Sequence, residues 1–153
     1  MKGFSVTPLE AHALLEYGAA RLWRECNLWH YAHTGQAFRE LTSTGAVFIG
    51  SVSGDEHIAP YPCGTIGDRR WVRETWAHDA PDLDTLRRSV ESDGAFCGPY
   101  YKADARDFDK RTLKWRSPAL MPQWASRMVI EVADLRIEKV RSLWNWAIDV
   151  KKV

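Results

Sequence analysis

Tyr61-Pro62-Cys63-Gly64-Thr65-Ile66-Gly67-Asp68-Arg69-Arg70-Trp71-Val72-Arg73-Glu74-Thr75-Trp76 is the stretch on which the fold turns. The segment from Pro60, just before it, to Gly67 holds two prolines and two glycines, a composition that reads as loop. From Arg70 onward the stretch alternates. On a strand, Val72, Glu74 and Trp76 point to one face and Trp71, Arg73 and Thr75 to the other. A second alternating run lies at Arg127 to Ala133, with Met128, Ile130 and Val132 on one face. Leu135, Ile137 and Val140 continue the apolar pattern past a bulge expected near Asp134. The spacing therefore predicts that residues 70–76 and 127–140 are strands of one barrel, with Val72, Met128, Ile130 and Val132 inside.

Working outward, Thr7-Pro8-Leu9-Glu10 carries the signals of a helix start: a capping threonine, proline at the first helical position and glutamate completing a capping box. Leu15, Ala19, Leu22 and Trp23 extend a helical spacing to about Glu25, with Gly18 as a possible break. Gln36 to Leu41 reads as a short second helix, Ala46 to Ile49 as a strand, and Ser53-Gly54-Asp55 as a turn. Asp82 to Glu91 reads as a helix with Leu83, Leu86 and Val90 as its apolar stripe. Phe96 to Ala103 reads as a strand broken at Gly98-Pro99, and residues 105–112 as a charged loop. Leu143 to Val153 has no clear period. Short strands with two or three small flanking helices predict an α+β fold built on a partly open β-barrel.

The 153 residues fit one domain, 1–153, large enough to fold without a metal or disulfide staple. A net charge of +1 excludes a strongly basic binder that works by global attraction, but not a local basic cleft. Three cysteines, Cys26, Cys63 and Cys97, are odd in number and widely spaced, which fits reduced thiols and a cytoplasmic location. No apolar run is long enough for a membrane span, and the first residues lack the pattern of a secretory signal. Cys26, His30 and His33 would share a helical face, but a fourth zinc ligand is missing, so no metal is expected. There is no P-loop, GxGxxG, HExxH or GxSxG motif, and no cofactor is implied.

The opening stretch resembles the PYG-x-x-GDRLWVRETW signature of phage-type ASCH-domain proteins, a PUA-related family common in phages and prophages. A second stretch resembles the same family's Y-x-AD … KWRPSIHMPRWASR signature. It comprises Tyr101-Lys102-Ala103-Asp104 and then Lys114-Trp115-Arg116-Ser117-Pro118-Ala119-Leu120-Met121-Pro122-Gln123-Trp124-Ala125-Ser126-Arg127. Together with the following strand, the resemblance covers roughly residues 61–140 and implies a PUA/ASCH-like barrel. Some small bacterial ASCH proteins are amidohydrolases acting on acetylated cytidine through a lysine, a threonine and a glutamate. The family's first motif, Gly-x-Lys-Thr-x-Thr-x-Arg, falls here on Gly18 to Glu25. Ala20 holds the lysine position, Trp23 the second threonine and Glu25 the arginine, unless a one-residue slip makes Arg24 the arginine. Without the lysine, binding is expected rather than catalysis, and no catalytic residue is assigned.

The candidate ligand-binding residues are Arg73, Glu74, Lys114, Trp115, Ser117 and Arg127. Residues 102–127 hold seven Lys or Arg against three Asp, a local basic excess in a near-neutral chain. Arg73, Lys114 and Arg127 would hold phosphate or sugar while Trp115 stacks on a base. Glu74 would read a donor edge, or instead pair structurally with Arg24 or Arg127. Ser117 and Ser126 could donate hydrogen bonds, and Met121 to Trp124 reads as an apolar loop over the barrel mouth. The expected partner is RNA, single-stranded nucleic acid or a modified nucleoside. The rivals are an amidohydrolase with altered residues and a phage accessory protein that binds a host protein. The latter would use residues 1–60 and the Trp144/Trp146 tail.

Overall fold

The computed structural model describes residues 1–28, 35–92, 97–104 and 113–153. These residues form an α+β fold with two α-helices, and the ten strands lie in three sheets. In chain order the elements are β1 (Gly3–Ser5), α1 (Pro8–Tyr17), β2 (Ala19–Glu25), β3 (Gln36–Leu41), β4 (Gly45–Gly50), β5 (Glu56–Pro60), β6 (Arg69–Arg73), β7 (Trp76–Ala77), α2 (Leu83–Glu91), β8 (Tyr100–Tyr101), β9 (Val129–Val140) and β10 (Leu143–Lys152). Single 3₁₀ turns lie at Lys102–Asp104, Pro118–Leu120 and Gln123–Ala125.

The capping box at Thr7 is formed: Glu10 N–H donates to the Thr7 hydroxyl at 3.2 Å and Thr7 N–H donates to the Glu10 carboxylate at 2.9 Å. The helix ends where Gly18 enters the left-handed region (φ 72°) and donates its N–H to Leu14. The helical reading of residues 19–25 is thus corrected: past Gly18 the chain is strand β2. Gln36 to Leu41, expected as a helix, is likewise a strand, β3, paired antiparallel with β4. The tail without a period is β10, a ten-residue strand. Helix α2 forms as expected, with Asp82 accepting from Thr85 N–H at its start. Of its three stripe residues only Leu86 is fully buried. The expected strand at 96–103 shrinks to β8 and a 3₁₀ turn, and Phe96 and residues 105–112 lie outside the described residues.

Strand pairing gives one five-stranded sheet of order β1-β6-β9-β10-β2, one three-stranded sheet β3-β4-β5 and the short pair β7-β8. None of these sheets closes on itself into a barrel. β1 runs parallel to β6, with Gly3 opposite Trp71. A side chain at Gly3 would meet the Trp71 indole, which is why the position carries none. β6 and β9 run antiparallel: Val72 N–H donates to Met128 O (2.9 Å) and Val132 N–H to Asp68 O (3.0 Å). Val72, Met128, Ile130 and Val132 are all buried, as the alternation predicts. The buried position then skips to Leu135, three residues on, the change of phase expected near Asp134.

The chain divides into two compact units: residues 1–20, 69–130 and 152–153, and residues 21–68 and 131–151. The first unit buries Phe4, Leu14, Val72, Ile130 and a cluster of Trp76, Leu86, Met121 and Ala125. Met121 and Ala125 thus pack as expected for the Met121–Trp124 loop, and Trp124 is partly buried against the same cluster. The second unit buries Leu22, Phe48, Val132, Trp146 and Ile148, and Phe38, Phe48 and Trp144 meet as an aromatic group. None of the three cysteines is in a disulfide. Cys26 follows strand β2 rather than lying on a helix, so helical spacing to His30 does not apply; His30 and His33 lie outside the described residues. Burial and the neighbouring Glu25 push the Cys26 thiol up to about 12. No helix among the described residues is long and apolar enough to cross a membrane.

Gly45, at φ 149°, opens β4, and a Cβ there would stand far inside contact distance of the Ala59 carbonyl oxygen in the paired β5. Gly45→Ala is expected to cost about 3 kcal/mol or more, from a disfavoured backbone conformation plus backbone overlap. Denaturant unfolding checks this, and a loss under ~1 kcal/mol would refute the geometry of the β4–β5 pair.

Candidate functional site

The first unit brings Glu74 and Arg127 together. Glu74 directly follows β6 and Arg127 comes two residues before β9, so the antiparallel pairing carries both to the same end. The Glu74 side chain is 2% exposed, and Glu74 is the buried charged residue among the described residues. Arg127 donates to both of its oxygens, Nε to Oε2 and Nη2 to Oε1, each at 2.9 Å. The other edge of the same guanidinium grips Asp104, Nη1 to Oδ2 at 2.6 Å and Nη2 to Oδ1 at 3.2 Å. Its plane is supported from below by Tyr101, whose ring centre lies 4.0 Å from Cζ. The Tyr101 hydroxyl in turn donates to Ala125 O at 2.6 Å.

Burial acts to lower the Arg127 pKa, but the hydrogen bonds and negative charge of Glu74 and Asp104 outweigh it and hold the guanidinium above its ordinary value. Burial pushes the Tyr101 phenol up to about 12, Arg127 opposes the rise, and Glu74 and Asp104 add to it. Taking a carboxylate out of water costs several kcal/mol, which only a close, well-bonded partner offsets. Of the alternatives open for Glu74, the structural pair with Arg127 is therefore the one formed. Four of the five guanidinium N–H bonds are spent on two carboxylates. Arg127 thus reaches a ligand phosphate only by giving up part of that junction.

The remaining candidates stand apart from this pair. Lys114 is exposed and Trp115 half-buried, and no hydrogen bond or ion pair among the described residues ties either to Glu74 or Arg127. Ser117 caps the 3₁₀ turn at Pro118–Leu120, accepting from Ala119 N–H at 3.3 Å. Ser126 is structural: its hydroxyl lies 2.7 Å from Val72 O and 3.1 Å from Met128 O, bonding across the β6–β9 pair. Arg73 sits on the other face of β6, its Cζ 6.0 Å from the Trp71 ring and its Nε buried without a hydrogen-bond partner among the described residues. Asp104 and Tyr101 are the members of the junction that the candidate set lacks. The signal for them was the Tyr101-x-x-Asp104 pattern, whose two ends meet one arginine. Trp76, His78 and Arg116 form a further group of aromatic and cationic side chains.

Compared with family models, curated proteins and solved structures, the chain finds no match.

Arg127→Leu would leave Glu74 buried without its partner. It is expected to cost about 3–5 kcal/mol in denaturant unfolding, whereas Glu74→Leu/Arg127→Leu together should cost clearly less than Arg127→Leu alone. A double variant as unstable as the single one would show that the charge is not what the pair protects.

A phenol whose folded pKa is raised favours the fold in its neutral form. That contribution is whole below the ordinary tyrosine value of about 10 and is lost as pH rises through about 12. Near-ultraviolet absorbance titration should show one tyrosine ionising late, and Tyr101→Phe should remove that last step. A variant with the late step intact would assign it elsewhere.

Proposed function

We propose that the protein is an ASCH-like, PUA-related domain of phage type, with a partly open barrel architecture, that binds RNA, single-stranded nucleic acid or a modified nucleoside and catalyses no reaction on it. The observation that carries the reading is Arg73: a guanidinium beside the Trp71 indole, with a buried N–H that no acceptor among the described residues satisfies. An unsatisfied donor beside an aromatic suits a phosphate or sugar oxygen next to a base. Lys114, exposed, adds a second cation, and half-buried Trp115 beside it offers a stacking face. Arg73 and Lys114 contact phosphate, Trp115 stacks, and the Glu74–Arg127–Asp104 junction holds the chain that carries them. Glu74 acts as a brace, since Arg127 occupies both its oxygens. The absence of a lysine at the family's catalytic position, Ala20, supports binding over hydrolysis.

A salt-titrated binding assay on short RNA and single-stranded DNA tests this reading, with circular dichroism as the folding control. Lys114→Ala should weaken binding and flatten the salt slope by about 0.7, the counterion share of one phosphate contact on a single strand. Trp115→Ala should cost roughly 1–3 kcal/mol with little change in slope, because stacking is not ionic. Arg73→Gln should weaken binding to any sequence. Wild-type protein that binds neither polymer at low salt would sink the proposal and favour a host-protein partner.

A further inference from the structure

Trp76 and His78 hold three buried nitrogen atoms without a hydrogen-bond partner among the described residues: the indole Nε1 and both imidazole nitrogens. Such groups are rare in native proteins and point to a water, ion or ligand that completes them. Trp76 is 1% exposed, so its N–H has no access to bulk solvent. Arg116 stands beside them through the strand register. It and Trp76 are antiparallel partners that exchange both main-chain bonds, Arg116 N–H to Trp76 O at 2.7 Å and Trp76 N–H to Arg116 O at 3.3 Å. Directly opposed residues send their side chains to the same face. The Arg116 Cζ accordingly lies 5.7 Å from the Trp76 ring centre, and the His78 ring, two residues along, lies 5.7 Å away at an interplanar angle of 30°. Among the described residues the Arg116 guanidinium makes no ion pair, in contrast to Arg127, which two carboxylates neutralise.

We infer that Trp76, His78 and Arg116 form an oxyanion site that takes a phosphate group. The indole N–H can only donate, the guanidinium can only donate, and the imidazole donates from at least one nitrogen. Together they offer donors from three side chains beside one positive charge that no carboxylate among the described residues pairs. An apolar guest would leave the nitrogens unpaired and a cation would be repelled by Arg116, whereas a phosphate meets the donors and the guanidinium charge together. A phosphate presents three terminal oxygens to three donor groups, one more than a carboxylate offers. The site does not rest on the nucleic-acid reading, because inorganic phosphate and a phosphate ester carry the same recognised chemistry.

The test is a titration of the intact, isotope-labelled chain with inorganic phosphate and, separately, with a nucleoside monophosphate. The readout is the Trp76 indole N–H resonance by NMR, assigned by its loss in Trp76→Phe or, should that variant not fold, by triple-resonance experiments on the wild type. Sodium chloride at matched ionic strength is the control. A saturable shift with either phosphate probe and none with chloride is expected. Arg116→Gln should raise the apparent Kd about tenfold or more, with Arg116→Lys recovering part of the loss. His78→Phe, which keeps a ring but removes both nitrogens, should also weaken binding. A shift with the ester alone, or with both probes, supports the site and identifies its source. No saturable shift with either probe, an equal shift with chloride, or unchanged affinity in Arg116→Gln overturns it. Arg73→Gln separates this proposal from the preceding one. It should leave the phosphate shift intact while weakening RNA binding, so absence of RNA binding with the phosphate shift retained sinks the nucleic-acid reading alone.

Discussion

A carboxylate buried in a protein is costly unless close donors or an opposite charge meet it, and Glu74 places that demand on the first unit. Its answer, Arg127, comes from a segment more than fifty positions away in sequence, so the pair can exist only when β6 and β9 are in register. The Ser126 hydroxyl and the Tyr101 phenol bond to main-chain carbonyls within the same few residues, at Val72, Met128 and Ala125. A one-residue slip would turn Val72, Ile130 and their neighbours to the opposite face and strand the charge as well. Hydrophobic alternation and the ion pair therefore specify the same register by independent physics. The pair adds little net stability over a well-packed apolar pair, and its value lies in what any wrong arrangement would cost.

The same logic sorts the arginines by availability. Arg127 is covered on both edges by carboxylates and on one face by Tyr101, so it is structural. Arg21 and Arg39 are bound to acids at the surface of the second unit, where such pairs contribute little. Arg73 and Arg116 differ in kind. Each lies near an indole, with buried donor atoms in or beside it that the described residues do not satisfy. A near-neutral chain cannot attract a polyanion globally, so any anion recognition must come from local groups of this sort.

What could be read from the sequence was what depends on neighbours along the chain. The Thr7–Glu10 capping box and the burial of Val72, Met128, Ile130 and Val132 are local patterns that form as read, although the strand read as far as Trp76 ends at Arg73 and the one read from Arg127 begins at Val129. The helical reading of 19–25 failed because Ala19 and Leu22 continue the helical period of Leu15 by coincidence, while the left-handed Gly18 ended the helix at Tyr17, before it reached them. Gln36 to Leu41 has four of six residues exposed and so displays no strand period, and its strand state comes from pairing with β4. β10 hid for the opposite reason: Trp146, Ala147 and Ile148 are buried in succession, which erases the alternation a half-buried strand would show.

The site was legible in the same uneven way. The sequence named Glu74 and Arg127 and offered their mutual pairing as one of two roles, but composition alone could not choose between a ligand contact and an internal bond. The choice is made by distance and burial: two 2.9 Å bonds to a carboxylate of 2% exposure leave no lone pair facing solvent that a ligand could reach without opening the pair. Counting cations in a basic segment therefore overstates how many can hold an anion. Residues 102–127 carry seven, yet Arg127 is already neutralised within the fold, and its partner Asp104 comes from the same segment. The useful count is of donors left unsatisfied after folding, and among the described residues it leads to Arg73, which the sequence named, and to the Trp76–His78–Arg116 group, which it did not.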